Sequence, residues 1–396
     1  VGTAYGGDSS FTSASSAVAP TVTATTSSSI TDSSVSTGGN VTSDGGSTVT
    51  VRGIVYGTTS NPVLGTDIDS AYGSGGTGSY TIAINGLTAG TTYHVRAYAI
   101  NSIDTSYGSD VSFTTLAAPT VTTTAASSIT NTTASSGGNV TSDGGASITE
   151  RGIVYSTSAN PTTADTKVVD GAATTGTFTS SLTGLTGSTT YHIRAYAINS
   201  VGTSYGGDSS FTTIDYATVV TATVSGISSS SASGGGDVTS DGGTSITERG
   251  IVYSTASNPT TADTKVIDGA ATTGSYSSSL TGLTAGTLYH VRAYVINSVG
   301  TSYGADSSFT TLANLPTVTT TPASAITGST ASSGGNVTSN GGGALSERGI
   351  VYSTSSNPTT ADTKVVDGAT TTGVFTSSLT GLTGNTVYHI RAYAIN

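Results

Sequence analysis

Residues 185–202 read Leu-Thr-Gly-Ser-Thr-Thr-Tyr-His-Ile-Arg-Ala-Tyr-Ala-Ile-Asn-Ser-Val-Gly. Consecutive side chains of a β-strand point to opposite faces, and the second half of this stretch alternates in that way. We expect one face to be buried, and it carries Tyr191, Ile193, Ala195 and Ala197. The opposite face carries His192, Arg194 and Tyr196. The stretch therefore predicts a strand that packs one face on a core and turns the other toward solvent.

The same stretch recurs along the chain at a fixed period. It begins again at Leu87, Leu283 and Leu382, and the segment Gly-Ile-Val-Tyr recurs at Gly53, Gly152, Gly250 and Gly349. A spacing of 98 or 99 residues is too long for a solenoid unit and is typical of a domain with its own core. The sequence therefore predicts four domains in tandem. Their predicted bounds are 14–115, 116–213, 214–311 and 312–396 (repeats 1 to 4), preceded by a segment 1–13.

Ser, Thr, Gly and β-branched residues dominate each repeat, and no helical periodicity is sustained. In repeat 2 we predict seven strands, separated by turn signals such as Asn160-Pro161. The predicted strands are Pro119–Thr130, Thr133–Ser142, Ser147–Ser156, Lys167–Asp170, Gly176–Leu182, Thr190–Asn199 and Ser204–Thr213. Seven short strands in a domain of this size are typical of a Greek-key β-sandwich. The predicted fold class is all-β, a tandem array of four such sandwiches.

The stretch 185–202 also resembles the signature of fibronectin type III domains, Leu-x-Pro-x-Thr-x-Tyr followed by Ala-x-Asn-x-x-Gly, with Gly187 where proline is usual. The resemblance implies an immunoglobulin-like sandwich with a tyrosine corner, in which a hydroxyl ties the loop before strand F to the backbone. The matching tyrosines are Tyr93, Tyr191, Tyr289 and Tyr388. The family's strand-B tryptophan is replaced by the small residues Gly137-Gly-Asn-Val140. Ser/Thr/Gly-rich repeats of this kind are similar to those of large bacterial surface proteins and adhesins.

Composition excludes several classes of function. Charged residues make up only 8% of the chain and its net charge is -11, which argues against nucleic acid as a partner. There is no cysteine, so the chain has neither disulfides nor thiolate metal sites. No apolar run approaches the length of a membrane span. We expect a secreted or surface-exposed bacterial protein.

The basic residues bear on the question of catalysis. All 11 Lys and Arg residues and all four His residues occupy positions that recur between repeats, whereas an active site usually needs a constellation that occurs once. His192 and Asp208 with a nearby serine match a triad only by composition, because serines are everywhere. We expect a protein that is not an enzyme, with no catalytic residue and no cofactor-binding or metal-binding residue.

Two weaker interpretations concern ligands. His192, Arg194 and Tyr196, repeated along the array, predict a surface that contacts sugars, or neighbouring molecules side by side, through aromatic stacking and guanidinium hydrogen bonds. Asp143, Asp165 and Asp170 offer oxygen ligands for calcium, but without EF-hand spacing, so turn capping is the simpler interpretation.

Glu150 and Lys167 predict an ion pair. Repeats 2 to 4 carry both charges at matching positions, whereas we align Val51 and Ile68 with them in repeat 1. Charges that disappear together indicate a contact between neighbouring strands. We therefore predict a Glu-Lys pair in three repeats and a Val-Ile contact in the first, worth about 1 kcal/mol at most.

The chain opens with the sequence that ends a repeat. Residues 1–11 match 201–211 except at one position, and residues 391–396 match 194–199. The sequence is thus cyclically cut between strands F and G. We expect residues 1–13 to act as strand G of the last repeat of a preceding copy, through a peptide bond in a longer protein or by donor-strand addition. The residues of this predicted junction are Val1, Tyr5, Phe11, Tyr388, Ile390 and Asn396.

These features predict a structural role. The linkers are short and end in proline at Pro119 and Pro316, which restricts the angles between repeats. We expect an extracellular filament, stalk or adhesin shaft whose partners are head-to-tail copies of itself. Two alternatives are an array of modules that bind carbohydrate or a host ligand, and spacer domains of a secreted glycan-degrading enzyme. The loop 160–165 recurs unchanged at 258 and 357, and this uniformity favours the structural role.

Overall fold

The computed structural model of the protein describes all residues, 1–396, and consists of thirty β-strands with turns between them. The strands form eight sheets, two in each repeat. The chain divides into two compact units, 1–213 and 214–396, each of which contains two repeats. The predicted boundaries at 115/116 and 311/312 lie inside these units and stay predictions. No helix long and apolar enough to cross a membrane occurs in the structure.

The first unit has eight strands in each repeat. In repeat 1 they are β1 (Thr21–Ser28), β2 (Ser34–Ser43), β3 (Val51–Gly57), β4 (Ile68–Tyr72), β5 (Gly78–Asn85), β6 (Thr92–Ile100), β7 (Thr105–Tyr107) and β8 (Val111–Thr114). In repeat 2 they are β9 (Thr120–Ser127), β10 (Thr133–Ser142), β11 (Glu150–Ser156), β12 (Thr166–Asp170), β13 (Gly176–Thr183), β14 (Thr190–Ile198), β15 (Thr203–Tyr205) and β16 (Ser209–Thr212).

The second unit repeats this order. In repeat 3 the strands are β17 (Thr218–Thr221), β18 (Ser231–Ser240), β19 (Glu248–Ser254), β20 (Thr264–Asp268), β21 (Gly274–Thr281), β22 (Leu288–Ile296), β23 (Thr301–Tyr303) and β24 (Ser307–Thr310). In repeat 4 they are β25 (Thr317–Ser324), β26 (Thr330–Ser339), β27 (Glu347–Ser353), β28 (Thr363–Val366), β29 (Gly373–Thr380) and β30 (His389–Ile395).

Each repeat is built from two antiparallel sheets. In repeat 2 one sheet has the order β13-β10-β9, and the other has the order β12-β11-β14-β15, with β16 also pairing with β14. Repeats 1 and 3 share this order, and in repeat 4 the second sheet is β28-β27-β30. The side chains that face each other across the two sheets form the hydrophobic core of each repeat, which is one cluster in repeats 1, 2 and 4 and two clusters in repeat 3.

Six of the seven predicted strands of repeat 2 agree with those observed apart from their ends, and the seventh is divided in two. The first ends at Ser127 because Ser128 takes a positive φ of 49°. The predicted last strand, Ser204–Thr213, is two strands, β15 and β16. It breaks at Gly206, whose N–H donates to the Ala195 carbonyl and whose backbone lies so near Thr123 that an added Cβ would sit 2.6 Å from the Thr123 nitrogen.

The core of repeat 2 explains the small residues of β10. Ile153, Leu182 and Ile193 are fully buried between the sheets. A Cβ placed on Gly138 would overlap the Cβ of Ala195 and lie 2.7 Å from the Thr122 carbonyl oxygen. The two sheets therefore approach closely at this point, and the Phe178 ring, from β13, fills the volume beside the gap. A large aromatic residue on β10 would not fit.

Candidate functional site

The four predicted tyrosine corners have one geometry. The backbone N–H of Thr186 donates to the Tyr191 hydroxyl oxygen at 3.1 Å, and Tyr93, Tyr289 and Tyr388 accept an equivalent bond at the same distance. The Tyr191 ring stacks on Phe211 of β16 with 5.9 Å between centroids. The corner thus fixes the loop that enters β14 and seats β16 on the core.

One carboxylate links three strands of repeat 2. Lys167 Nζ lies 2.8 Å from Glu150 Oε1, and the Tyr196 hydroxyl donates to the same oxygen at 2.7 Å. The Lys167 ammonium lowers the pKa of the Glu150 carboxyl, and the Tyr196 hydroxyl adds to this effect. Burial raises the pKa of Tyr196, and the Glu150 carboxylate raises it further. Equivalent clusters of Glu, Lys and Tyr are Glu248, Lys265 and Tyr294, and Glu347, Lys364 and Tyr393.

The predicted sugar-contact surface is corrected by the position of Tyr196. Although its side chain points away from the sandwich core, Tyr196 is 0% exposed. Its ring lies over Gly152, where an added Cβ would meet Tyr196 Cε1 at 3.0 Å, and Tyr205 pairs with it on the neighbouring strand. His192, Arg194 and Tyr196 therefore do not form one exposed surface.

The predicted Val51–Ile68 contact is also corrected. Ile68 pairs with Tyr56, the register position that Thr166 occupies opposite Tyr155 in repeat 2. The residue at the position of Lys167 is Asp69, which pairs with Val55. The alignment of repeat 1 was therefore wrong by one residue, because the loop before β4 differs in sequence and carries no Lys to mark the register.

A buried arginine, which the sequence analysis did not single out, holds the loop 171–175 that connects β12 of one sheet to β13 of the other. Arg151 is 5% exposed, and its Nε lies 2.7 Å from Asp170 Oδ2. Its Nη1 donates to the Thr174 carbonyl at 2.7 Å, and its guanidinium lies over the Phe178 ring. Arg52 makes no such ion pair and lies over the ring of Tyr72, the counterpart of Asp170. The exchange of Asp for Tyr in repeat 1 alone is the sequence signal that points to this contact.

His192 and Arg194 lie on the half-exposed side of β14, and each binds the segment between β15 and β16. His192 Nδ1 is 2.9 Å from Asp208 Oδ2, the oxygen that also accepts the Asn160 backbone N–H at 3.0 Å. Arg194 Nε donates to the Gly206 carbonyl at 2.8 Å, and its guanidinium lies 4.7 Å from the Tyr205 ring centroid. The pair of His192 with Asp208 thus anchors the 160–165 loop.

The three candidate calcium ligands have partners within the repeat. Asp143 Oδ1 accepts the Gly145 N–H, Asp165 Oδ2 accepts the Thr162 N–H, and Asp170 binds Arg151. No group of three or more His, Asp or Glu side chains lies close enough together to hold a metal ion. Asp143 and Asp165 therefore accept bonds within their turns, the role that turn capping predicts, whereas Asp170 pairs with Arg151, which the sequence analysis did not predict.

The chain between repeats 1 and 2 is hydrogen-bonded on both sides. The Leu116 N–H donates to the Thr31 carbonyl at 2.9 Å, and the Leu116 carbonyl accepts from the Gly90 N–H at 3.1 Å, so Leu116 is bound to repeat 1. The next residue, Ala117, is bound to repeat 2, because its N–H donates to the Gly144 carbonyl at 2.8 Å.

An asparagine completes the second half of this junction. Asn199 Nδ2 donates to the carbonyls of Ala117 and Asp143, each at 2.7 Å. Asn101, Asn297 and Asn396 make the equivalent pair of bonds in the other repeats. The sequence carries a signal for this role, since an Asn directly follows β6, β14, β22 and β30, but the repeat pattern predicts a junction residue only at Asn396.

The residues of the predicted polymer junction have two kinds of surroundings. Val1, Tyr5 and Phe11 are exposed and belong to no strand. Tyr388 and Ile390 line a cleft of about 380 Å³ in repeat 4. The junction between these two groups of residues stays a prediction.

Among solved structures, the crystal structure of the FN1–FN3 domains of chicken CNTN1 matches 74% of this chain and 98% of that one, with 18% identity and a TM-score of 0.29. No protein-family model and no curated protein matches the sequence. Each repeat is a two-sheet, all-β sandwich, and its strand order and tyrosine corner resemble those of fibronectin type III domains. This fold type leaves the function to be argued from surfaces and junctions.

Proposed function

We propose that the chain is a structural spacer, the shaft of an extracellular filament, stalk or adhesin on a bacterial surface. Tandem fibronectin type III-like sandwiches suit a spacer, and such domains are commonly extracellular. The observation that carries the proposal is the junction at Leu116 and Ala117, where adjacent residues are hydrogen-bonded to different repeats. A linker held in this way transmits orientation from one repeat to the next and resists bending.

A second junction with the same bonds supports the proposal. The Leu312 N–H donates to the Ser228 carbonyl at 3.0 Å, and the Asn314 N–H donates to the Gly341 carbonyl at 2.7 Å. One extra residue, Ala313, separates the two bound residues here. The bonding pattern is thus retained although the linker length differs, as expected if restricted junctions are what the array requires.

Distance measurements between repeats 1 and 2 test the stiffness of the junction. The chain has no cysteine, so Thr81→Cys and Thr179→Cys, both on exposed strand positions, place one spin label in each repeat. Pulsed electron–electron double resonance should give a narrow distribution of distances between the two labels. A matched variant with Gly-Ser-Gly-Ser inserted between Leu116 and Ala117 should give a broad one. Equally broad distributions in both chains would contradict the shaft proposal.

The head-to-tail continuation belongs to the same proposal. Repeats follow one another through a covalent linker within the chain, and further repeats would be added by a longer polypeptide or by strand addition from another copy. The mass of the polypeptide isolated from its source separates these routes, because this chain has a mass of 38.6 kDa and a covalent fibre would be many times larger. Binding of glycans through the His192 and Arg194 side of β14 is not proposed, because Tyr196 is buried.

A further inference from the structure

Repeat 2 has an open cleft of about 540 Å³ beside the end of β11. Tyr155 and Tyr191 form an aromatic wall of this cleft, with 6.1 Å between their ring centroids. Ser156, Asp165 and Thr166 line another part of it. Small-molecule sites typically measure about 300–1,000 Å³ and combine apolar or aromatic side chains with a few polar groups. The cleft therefore has the size and the lining of a ligand site.

Several polar groups of this cleft have hydrogen-bonding capacity that the protein does not use. Burial raises the pKa of Tyr155, and the Tyr155 hydroxyl makes no hydrogen bond within the protein. Asp165 Oδ2 accepts the Thr162 N–H at 2.8 Å, whereas Asp165 Oδ1 accepts no bond. The hydroxyl of Thr166, an exposed residue, also has no partner. Since a hydroxyl both donates and accepts, the cleft presents donors and acceptors to a bound molecule.

Repeat 1 lacks this set of polar groups. The strand registers place Gly57 and Ile68 where repeat 2 has Ser156 and Thr166. An added Cβ on Gly57 would lie 2.6 Å from Asp67 Oδ1, so the Asp67 carboxylate occupies the space that a side chain at Gly57 would need. Repeat 1 keeps the tyrosine pair, with 6.3 Å between ring centroids, but has neither of the two hydroxyls. It is therefore an internal control for any ligand that needs them.

Repeats 3 and 4 carry the same residues in the same arrangement. Their tyrosine pairs have centroid distances of 6.1 and 5.9 Å, and the equivalent Asp side chains accept a Thr N–H at 2.9 and 2.8 Å. The equivalent residues are Tyr253, Ser254, Asp263, Thr264 and Tyr289, and Tyr352, Ser353, Asp362, Thr363 and Tyr388. Three identical sets of residues in one chain suit a ligand that is itself a repeating polymer.

The chemistry of the lining favours a neutral sugar. The faces of a pyranose ring are apolar and pack on aromatic rings, while its hydroxyls both donate and accept hydrogen bonds. Asp165 can accept sugar hydroxyls, and no basic side chain lines the cleft to pair with an acidic sugar. We propose that this cleft and its equivalents in repeats 3 and 4 each bind one unit of a neutral polysaccharide. His192 and Arg194 line no part of the cleft.

Saturation-transfer NMR on the full chain tests the proposal. The probes are the methyl glycosides of glucose, galactose, mannose and N-acetylglucosamine, and methyl glucuronide is the acidic comparison. We expect at least one neutral glycoside to bind saturably and methyl glucuronide to bind at least about tenfold more weakly, because its charge repels the Asp carboxylates. With sugar bound, hydrogen exchange should slow in residues 156–166, 254–264 and 353–363, but not in residues 57–68 of repeat 1.

Phenylalanine substitutions give a matched pair of variants. Tyr155→Phe, Tyr253→Phe and Tyr352→Phe, made together, remove only hydroxyls that make no hydrogen bond within the protein, so the fold should be unchanged. The Kd of the sugar should rise about 2- to 10-fold, as expected for the loss of one hydrogen bond at each site. Tyr56→Phe makes the same change in repeat 1 and should leave the Kd unaltered.

Several outcomes would overturn the proposal. They are no binding of any of the four neutral glycosides, equal binding of methyl glucuronide, and exchange that slows in repeat 1 as much as in repeat 2. An equal rise in Kd with Tyr56→Phe would also contradict it. Binding of choline and of no sugar would mean that the tyrosine rings and the carboxylate form a site for a cation. The shaft proposal is tested separately, because the distances between labels across the 116–117 junction are measured without sugar.

Discussion

Glu150 shows how one side chain serves two kinds of contact. Its carboxylate accepts from Lys167, a surface ammonium, and from Tyr196, a fully buried hydroxyl. The ion pair with Lys167 is partly exposed and contributes about 0.2–1 kcal/mol at most. The bond from Tyr196 matters more, because a buried hydroxyl without an acceptor costs about 1–3 kcal/mol. The main contribution of the Glu150 carboxylate is therefore to accept the hydrogen bond of the buried Tyr196 hydroxyl.

Two substitutions at Glu150 separate these contributions. Glu150→Val removes both contacts and should speed hydrogen exchange of β11 and β14 amides roughly 5- to 150-fold in the full chain. Glu150→Gln keeps an acceptor for Tyr196 and should have a much smaller effect. If Glu150→Gln were as damaging as Glu150→Val, the charge would be the main contribution and this ranking would be wrong.

The same variants give a pH dependence. The pKa of Glu150 is lowered in the folded chain, chiefly by Lys167, so its contribution to stability is present above the ordinary Glu pKa. It is lost as pH falls through the lowered value. We expect the difference in exchange protection between the native chain and Glu150→Gln to shrink on acidification. Lys167→Met should weaken this dependence, because it leaves only the Tyr196 hydroxyl to lower the Glu150 pKa. A difference in exchange protection that stays constant as the pH falls through the lowered Glu150 pKa would contradict this prediction.

At the scale of elements, β10 is constrained by its closeness to β14. Gly138 faces Ala195 so closely that even a methyl group overlaps it. Overpacking of a dense core costs about 1–3 kcal/mol, because neighbours must shift against other packed atoms. The small residues of β10 are thus part of the packing, because a larger side chain at Gly138 would not fit between the sheets.

Gly138→Ala tests this packing, and Gly171→Ala is its matched control. Gly171 has no heavy atom within 4 Å of an added Cβ and has no positive φ. We expect Gly138→Ala to lower the free energy of unfolding of repeat 2 by about 1–3 kcal/mol, and Gly171→Ala to change it by less than about 1 kcal/mol. Urea unfolding monitored by hydrogen exchange in β9 to β14 measures both. Equal effects of the two substitutions would mean that the overlap at Gly138 does not limit the stability of repeat 2.

The sequence predicts where the strands lie better than it predicts which outward-facing side chains are covered by a neighbouring strand. β10 is predicted to the residue because turn signals bound it, and Ile193 and Ala195 of β14 face inward as alternation requires. Alternation also assigns Tyr196 to the outer face, but it says nothing of the strand that pairs beyond it. The register of Ile68 likewise depends on a loop whose length has no periodic signal.

At the scale of the whole molecule, a hydrophobic core belongs to one repeat, whereas a junction involves two. Each repeat buries its own set of apolar side chains, whereas the adjacent linker residues Leu116 and Ala117 are hydrogen-bonded to repeat 1 and repeat 2, respectively. Hydrophobic stabilisation scales with the area buried, so a core defect should remain within its repeat. A junction instead depends on both of the repeats that it joins.

Gly138→Ala gives a prediction for the whole chain that separates the effect on the core of one repeat from the effect on the junction. Loss of repeat 2 should release Ala117, whose N–H and carbonyl are both bound there, by Gly144 and Asn199. The Ala117 amide should then exchange at the rate of β10. Amides of β3 and β6 should keep their protection, because the core of repeat 1 contains no residue of repeat 2. If the slowly exchanging amides of β3 and β6 instead exchanged faster together with those of β10, the first unit would unfold as one body. The stiffness of the shaft would then come from shared folding of the two repeats and not from the junction between them.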